Sequence, residues 1–203
     1  MHRRHLLETM AAAAAVTAGG RTPRAQSLDV DLRLVLAIDV SRSIDEEEAR
    51  LQREGYVQAL TDRHVVSSMT DGPFQRTALA YVEWAGTHYQ RTLVDWTLID
   101  SPAAAHEFAG KLAEAPYTSQ SWTAVGAGLA YAASKFDELG YVSRRKVIDI
   151  SGDGKTNNGP PAELVRDELV NRVSSSTGCP SSTTARTLAG RPRKTSTPTT
   201  SRT

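Results

Sequence analysis

Residues 30–40 read VDLRLVLAIDV, and this stretch decides the fold class. Its second half is almost unbroken apolar, which is typical of a strand that is buried on both faces, as in a parallel sheet. Ser43 and Glu46 follow it as a Ser-x-x-Glu capping box, the pattern that opens a helix with an acidic first turn. The sequence therefore predicts a buried strand that leads into a helix reaching to about Leu60.

Strands and helices continue to alternate along the rest of the chain. Further strands are predicted at 77–84, 92–99 and 146–150, and further helices at 101–112, 125–136 and 160–172. Such alternation is typical of an α/β domain with a mostly parallel central sheet flanked by helices. We expect one such domain over residues 28–172, with the strand at 30–40 in its centre.

The overall composition excludes several classes of protein. Lys and Arg number 24 and Asp and Glu 23, so the formal net charge is +1, and we expect no binding to nucleic acid. Cys179 is the only cysteine, which excludes an intrachain disulfide framework and a cysteine-rich zinc site.

Residues 1–25 have the parts of a secretory signal peptide. A basic start that includes Arg3 and Arg4 precedes two leucines and an alanine-rich run with small residues after it. The paired arginines also resemble a twin-arginine signal, which leaves the export route open, and an alanine-rich leader is the alternative. The apolar run is too short to span a bilayer. We expect a periplasmic or secreted protein with no transmembrane span after signal removal.

Oxygen-bearing side chains follow two of the predicted strands. Asp39, Ser41 and Ser43 come directly after the first strand, Asp153 follows a later one, and Thr123 opens a helix. Ligands in open α/β sheets bind at the carboxyl ends of strands, so these residues are expected to meet there. Hydroxyl and carboxylate oxygens suit Mg²⁺ or another divalent cation. Taken singly, each residue also fits a helix cap or an ordinary turn.

The same residues, in this order and strand context, resemble the metal-ion-dependent adhesion site of von Willebrand factor A domains. The chain resembles more closely a bacterial group of exported A-domain proteins of uncharacterised function, in residues 39–60, 81–86 and 147–158. This resemblance covers about residues 28–172. It implies a Rossmann-like von Willebrand factor A domain.

The resemblance also implies a role for each site residue. Ser41, Ser43 and Thr123 would offer hydroxyl oxygens to the ion, while Asp39 and Asp153 would hold its waters. A carboxylate from another protein would complete the coordination. The function implied is a non-enzymatic, metal-dependent, adhesion-type protein-binding module of the bacterial cell envelope.

The alternative function is a Mg²⁺-dependent hydrolase or phosphotransferase that uses the same site. Residues 154–156 read GKT, as at the end of a phosphate-binding P-loop, but Asp149 stands where that motif needs glycine. The sequence also has no Gly-x-Ser-x-Gly elbow. Glu83 is the most suggestive remaining acid, and we expect it at a strand end, near the water shell of the metal.

Residues 173–203 differ from the rest of the chain. Of these 31 residues 16 are Ser or Thr, five are basic and none is acidic. Such a segment buries too little apolar surface to offset the entropy of ordering, which predicts a disordered tail. Read in a shifted frame, the codons of residues 174–184 permit Ile-Val-Ile-Asn-Gly-Leu-Pro-Ile-Ile-Asn-Asp, which is typical of a buried strand and its exit.

We therefore expect a frameshift between Asn171 and Val173. The domain would then lack its carboxyl-terminal part, and the strand at 146–150 would become an exposed edge. A genuine flexible tail is the alternative.

Overall fold

A computed structural model describes residues 27–152, 155–176 and 183–189. The predicted signal peptide, Asp153 and the rest of the tail lie outside the described residues. The strands are β1 Leu28–Asp29, β2 Leu32–Asp39, β3 Thr77–Trp84, β4 Gln90–Ile99, β5 Tyr141–Val142, β6 Lys146–Gly152 and β7 Thr183–Ala189. The helices are α1 Glu46–Thr61, α2 Arg63–Met69, α3 Pro102–Glu114, α4 Val125–Ser134 and α5 Ala162–Ser176, and a 3₁₀ turn, Lys135–Asp137, follows α4.

The main sheet has five strands in the order β4-β3-β2-β6-β7. β2 lies in the centre and pairs in parallel with β3 and β6, whereas β4 runs antiparallel to β3. The predicted α/β fold with a mostly parallel sheet, and the central place of the first apolar strand, are confirmed. The register sets Asp39 opposite Trp84, so both lie at the carboxyl end of the sheet.

Alternate residues of β2 enter two separate cores, because successive side chains of a strand point to opposite faces. Leu36 and Ile38 pack on the side of α1 and α3, and Val35 and Ala37 pack on the side of α4 and α5. This explains the unbroken apolar pattern, since both faces of β2 are covered by helices. None of the helices in the described part of the chain is long and apolar enough to cross a membrane.

The first helix begins two residues later than the capping box predicted. Its N-cap is Asp45, whose carboxylate accepts a hydrogen bond from the backbone N–H of Glu48 at 2.8 Å. The N–H of Ile44 donates to the carbonyl of Ser41, so a tight turn separates Ser43 from the helix. The prediction of Ser43 as the cap was therefore wrong, because the sequence holds two overlapping capping boxes and the turn selects the second.

The tail contains regular structure where the composition predicted disorder. α5 runs to Ser176, and β7 pairs in parallel with β6 along its whole length, from Lys146 opposite Thr183 to Gly152 opposite Ala189. Within the described residues, β6 is therefore not the exposed edge that was expected, whereas disorder of the tail as a whole stays a prediction. The physical reason is that a strand edge offers unpaired backbone N–H and C=O groups to any extended segment, and threonine is well suited to strands.

Candidate metal centre

The candidate site is built on the carboxyl end of β2. Asp39 is the last residue of this strand and is fully buried. Its Oδ1 atom accepts a hydrogen bond from the backbone N–H of Ser41 at 2.8 Å, which bends the chain into the following turn. The hydroxyl oxygens of Ser41 and Ser43 lie 2.8 Å apart. The Asp39 carboxylate thus stabilises the turn through this bond, and the turn brings the two hydroxyls together.

The loop before α4 is fastened to this turn by backbone contacts. Ser41 forms a parallel β-bridge with Gln120, whose N–H donates to the carbonyl of Val40 at 2.9 Å. Four residues on, the N–H of Ala124 donates to the carbonyl of Ala85, next to the end of β3. Thr123 is therefore held at the same end of the sheet, with only 4% of its surface exposed.

Two asparagines of the loop between β6 and α5 hold the neighbouring loops in place. Asn157 makes two bonds with the backbone of Thr123: its Oδ1 accepts from the Thr123 N–H at 2.8 Å, and its own N–H donates to the Thr123 carbonyl at 2.9 Å. Asn158 accepts a bond from the N–H of Thr87. Neither asparagine was predicted as a site residue from the sequence. The only signal for them is the turn-forming composition of residues 157–161, NNGPP, which does not reveal their partners.

The end of β6 lies directly against Asp39. A Cβ atom on Gly152 would stand 3.0 Å from Oδ2 of Asp39 and 3.2 Å from the indole ring of Trp84. Glycine is therefore the residue that allows this approach. Asp153 is the next residue along the chain, and its place at the site stays a prediction because it lies outside the described residues.

The described donors fit a small hard cation. In octahedral coordination with metal–oxygen distances of 2.0–2.1 Å, adjacent ligand oxygens lie about 2.9 Å apart. The Ser41 and Ser43 hydroxyls are hydrogen-bonded to each other at 2.8 Å, and this separation is also close to that edge length. The described residues hold no group of three or more His, Cys, Asp or Glu side chains arranged to bind a metal. A cation at this place would be held by hydroxyls and water, with Asp39 as the buried negative charge.

Glu83 does not belong to this site. It lies opposite Ile38 in the sheet register, on the face covered by α1 and α3, whereas Asp39 lies on the other face. Its buried carboxylate accepts hydrogen bonds from Nη2 of Arg53 and from Nε of Arg91, each at 2.9 Å. The expectation that Glu83 lies near the water shell of the metal is therefore wrong, because strand alternation turns the side chain away from Asp39.

Comparisons with known proteins agree with this architecture. The model of a family described as "Protein of unknown function (DUF1194)" matches residues 29–180. No curated protein matches the sequence.

Among solved structures, proximal thread matrix protein 1 from the mussel byssus is similar, with a TM-score of 0.57, 17% sequence identity, and coverage of 79% of this chain and 38% of that one. A second structure of the same mussel protein, described as having a zinc-occupied MIDAS motif, gives a TM-score of 0.52 at 15% identity, with the same two coverages. A von Willebrand factor type A protein from Catenulispora acidiphila has a TM-score of 0.49 and 24% identity, and covers 78% of this chain and 33% of that one. The chain thus spans well under half the length of these proteins.

Proposed function

The chain belongs to the DUF1194 family and has the fold of a von Willebrand factor A domain, and from this premise we propose that it is a metal-dependent, adhesion-type protein-binding module of the bacterial cell envelope. Mg²⁺ or another divalent cation would be bound by Ser41, Ser43 and Thr123. Asp39 and Asp153 would hold the waters of the ion.

The observation that carries this proposal is the pair of hydroxyls above a buried carboxylate. Ser41 and Ser43 present their oxygens at the spacing of two neighbouring ligands, and Asp39 lies beneath them with no exposed surface. A cation bound by the two serines would lie next to this carboxylate, and opposite charges attract strongly where water is excluded. It also gives the site an affinity for anions, since a cation with few protein ligands keeps positions open.

We propose a carboxylate of another protein as the group that completes the coordination. Three neighbouring loops surround the site: the turn after β2, the loop before α4 and the loop after β6 are joined by backbone bonds. A site built on loops over a rigid sheet is a common arrangement for binding partners. Export, indicated by residues 1–25, would place this surface outside the cytoplasm.

The direct test is the melting temperature of the protein from residue 26 onward at increasing Mg²⁺. A ligand that binds only the folded state stabilises it by about 2.7 kcal/mol at one hundred times its Kd, so a rise of several degrees is expected. Asp39→Ala and Asp153→Ala should abolish this rise. Asp137→Ala, which removes an exposed carboxylate at the opposite end of α4, should retain it. The metal-site proposal would be refuted if the melting temperature of the folded wild type did not change up to millimolar Mg²⁺.

A second experiment separates binding from catalysis. Capture of a partner from envelope extracts should be lost when a chelator removes the cation. Turnover of phosphoesters that depends on Mg²⁺ and on Asp39 would instead support the hydrolase or phosphotransferase alternative.

A further inference from the structure

Trp122 is the most unusual residue beside the candidate metal site. It directly precedes Thr123, yet 62% of its surface is exposed, whereas Thr123 is buried. Its backbone also adopts φ +72°, in the left-handed region that favours glycine and asparagine. A bulky aromatic residue is a genuine outlier there. Neither the exposure of the indole nor its backbone conformation stabilises the folded chain.

The strain is enforced by the loop on both sides of Trp122. Gln120 is bonded to Val40 and Thr123 to Asn157, so the backbone cannot relax without breaking the contacts that hold the site together. Gly86 makes room for the loop, because a Cβ atom there would come within 2.9 Å of the Ser121 carbonyl oxygen. The loop therefore fixes the backbone of Trp122 in a conformation that leaves the indole exposed to solvent. Backbone strain of this kind persists where the surrounding structure over-determines it, and such positions cluster at ligand-binding sites.

The surroundings of Trp122 do not favour a partner of either charge. Arg42 and Lys155 are exposed near the site, and so are the acidic residues of the first turn of α1, at 45–48. The loop itself does present a second aromatic side chain. Tyr117 is 37% exposed, and its hydroxyl donates to the Ile44 carbonyl. Exposed tryptophans and tyrosines in rigid settings are typical of the residues that dominate interface energies.

We propose that Trp122 is a specificity-determining contact residue, and that the partner presents a large apolar side chain next to the carboxylate that reaches the metal. This inference rests on the proposed function. It adds that binding selects a short acidic-apolar sequence rather than any exposed carboxylate.

The test uses three peptides that carry fluorescein at the amino terminus, in Mg²⁺ and with fluorescence anisotropy as the readout: fluorescein-Gly-Asp-Phe-Gly-amide, fluorescein-Gly-Asp-Gly-Gly-amide and fluorescein-Gly-Asp-Arg-Gly-amide. The wild type should bind the phenylalanine peptide about tenfold more tightly than the glycine peptide. Trp122→Asn should remove this difference and leave the Mg²⁺-dependent rise in melting temperature unchanged. Leu139→Ala, which removes an even more exposed apolar side chain beyond the other end of α4, should keep the preference.

The possible results separate this inference from the proposed function. If Mg²⁺ does not raise the melting temperature of the wild type, the metal site itself fails. If Mg²⁺ does raise it, three results would overturn the inference. The wild type could bind the three peptides equally or not at all, it could prefer the arginine peptide, or the preference for phenylalanine could survive Trp122→Asn. A large fall in the melting temperature of Trp122→Asn would also overturn it. Asparagine tolerates the left-handed conformation, so only a structural role of the indole would produce such a fall.

Discussion

Glu83 forms the best-defined buried ion pair network in the described part of the chain. Its carboxylate is fully buried and receives one arginine from α1, Arg53, and one from β4, Arg91. Arg53 also donates to the carbonyl of Ala115, the C-cap of α3. One carboxylate thereby links the sheet to the two helices that cover this face. Its function is structural, because it faces away from Asp39.

We expect Glu83→Gln to destabilise the protein by about 3 kcal/mol, because removing one partner of a buried ion pair leaves the other charges uncompensated. Urea denaturation measures this loss. Glu107→Gln, which breaks the exposed pair with Lys111, should cause no measurable change, since surface ion pairs contribute little. A loss below about 1 kcal/mol for Glu83→Gln would show that water solvates the arginines in place of the carboxylate.

At the scale of elements, the packing of α4 on β3 depends on a glycine. A Cβ atom on Gly128 would lie 2.6 Å from the indole ring of Trp84, which is fully buried. Helix and strand therefore approach more closely than any side chain at this position allows. Trp84 lies opposite Asp39, so this contact also supports the candidate site.

Gly128→Ala should lower the free energy of unfolding by about 1–3 kcal/mol, because overpacking forces the helix or the ring to move. Gly110→Ala in α3 is the matched control. Nothing lies within 4 Å of its added Cβ, so it should raise stability by about 0.5–1 kcal/mol through higher helix propensity. Thermal unfolding of the two variants measures both effects, and equal signs would contradict the close contact of α4 with Trp84.

The junction between α1 and α2 depends on one carboxylate. Asp62 is both the C-cap of α1 and the N-cap of α2, and its side chain accepts hydrogen bonds from the backbone N–H groups of His64 and Val65. These bonds, that from His64 first, lower the pKa of Asp62 below its ordinary value. The contribution to stability is therefore present above the unfolded-state pKa and is lost as pH falls through the lower pKa of the folded state.

Asp62→Ala should lower the melting temperature at pH 7, and its difference from the wild type should shrink below about pH 4, where the wild type also loses the charged cap that the variant lacks at every pH. Melting curves between pH 7 and the acid limit of folding measure this. Asp71→Ala, an exposed aspartate after α2, should show no such trend. A difference that stays constant with pH would contradict the role of the charge.

Elements were predictable where a local pattern determines them. The apolar run of β3 and the Ser101-Pro102 start of α3 lie where the sequence indicated, because strand burial and helix capping are read from adjacent residues. α2 was not predicted. It has only seven residues, of which only Val66 is buried, so its pattern is too short to be periodic. The start of α1 was misplaced because two capping boxes overlap and only the turn at 41–44 distinguishes them.

At the scale of the whole molecule, the candidate site could be predicted only in part. Asp39, Ser41 and Ser43 are close in sequence, and the strand before them fixes where they lie. Asn157 and Gly152 could not be predicted, because their roles arise only when the end of β6 and the loop after it approach the other loops. That approach depends on the tertiary structure, and no local sequence pattern indicates it.

The origin of residues 173–203 is also a question about the whole molecule. We propose that they are read in a shifted frame. The segment pairs as β7 at Thr183–Ala189 although its composition is poor in apolar residues. Sequencing of the locus should reveal one missing or extra base in the codons for Asn171 to Val173. A clean read through these codons would remove the idea and leave a genuine Ser/Thr-rich tail.

The central position of β2 determines when the sheet can be completed during synthesis. On one side Arg33 pairs with Ala78, and on the other with Lys146, which the ribosome adds much later. At about 5–20 residues per second, the second neighbour emerges several seconds after the first. Pairing between strands so far apart in sequence is also slow. The central strand of the finished molecule is therefore an open apolar edge in the newborn chain until β6 has emerged, and such an edge can pair with other chains.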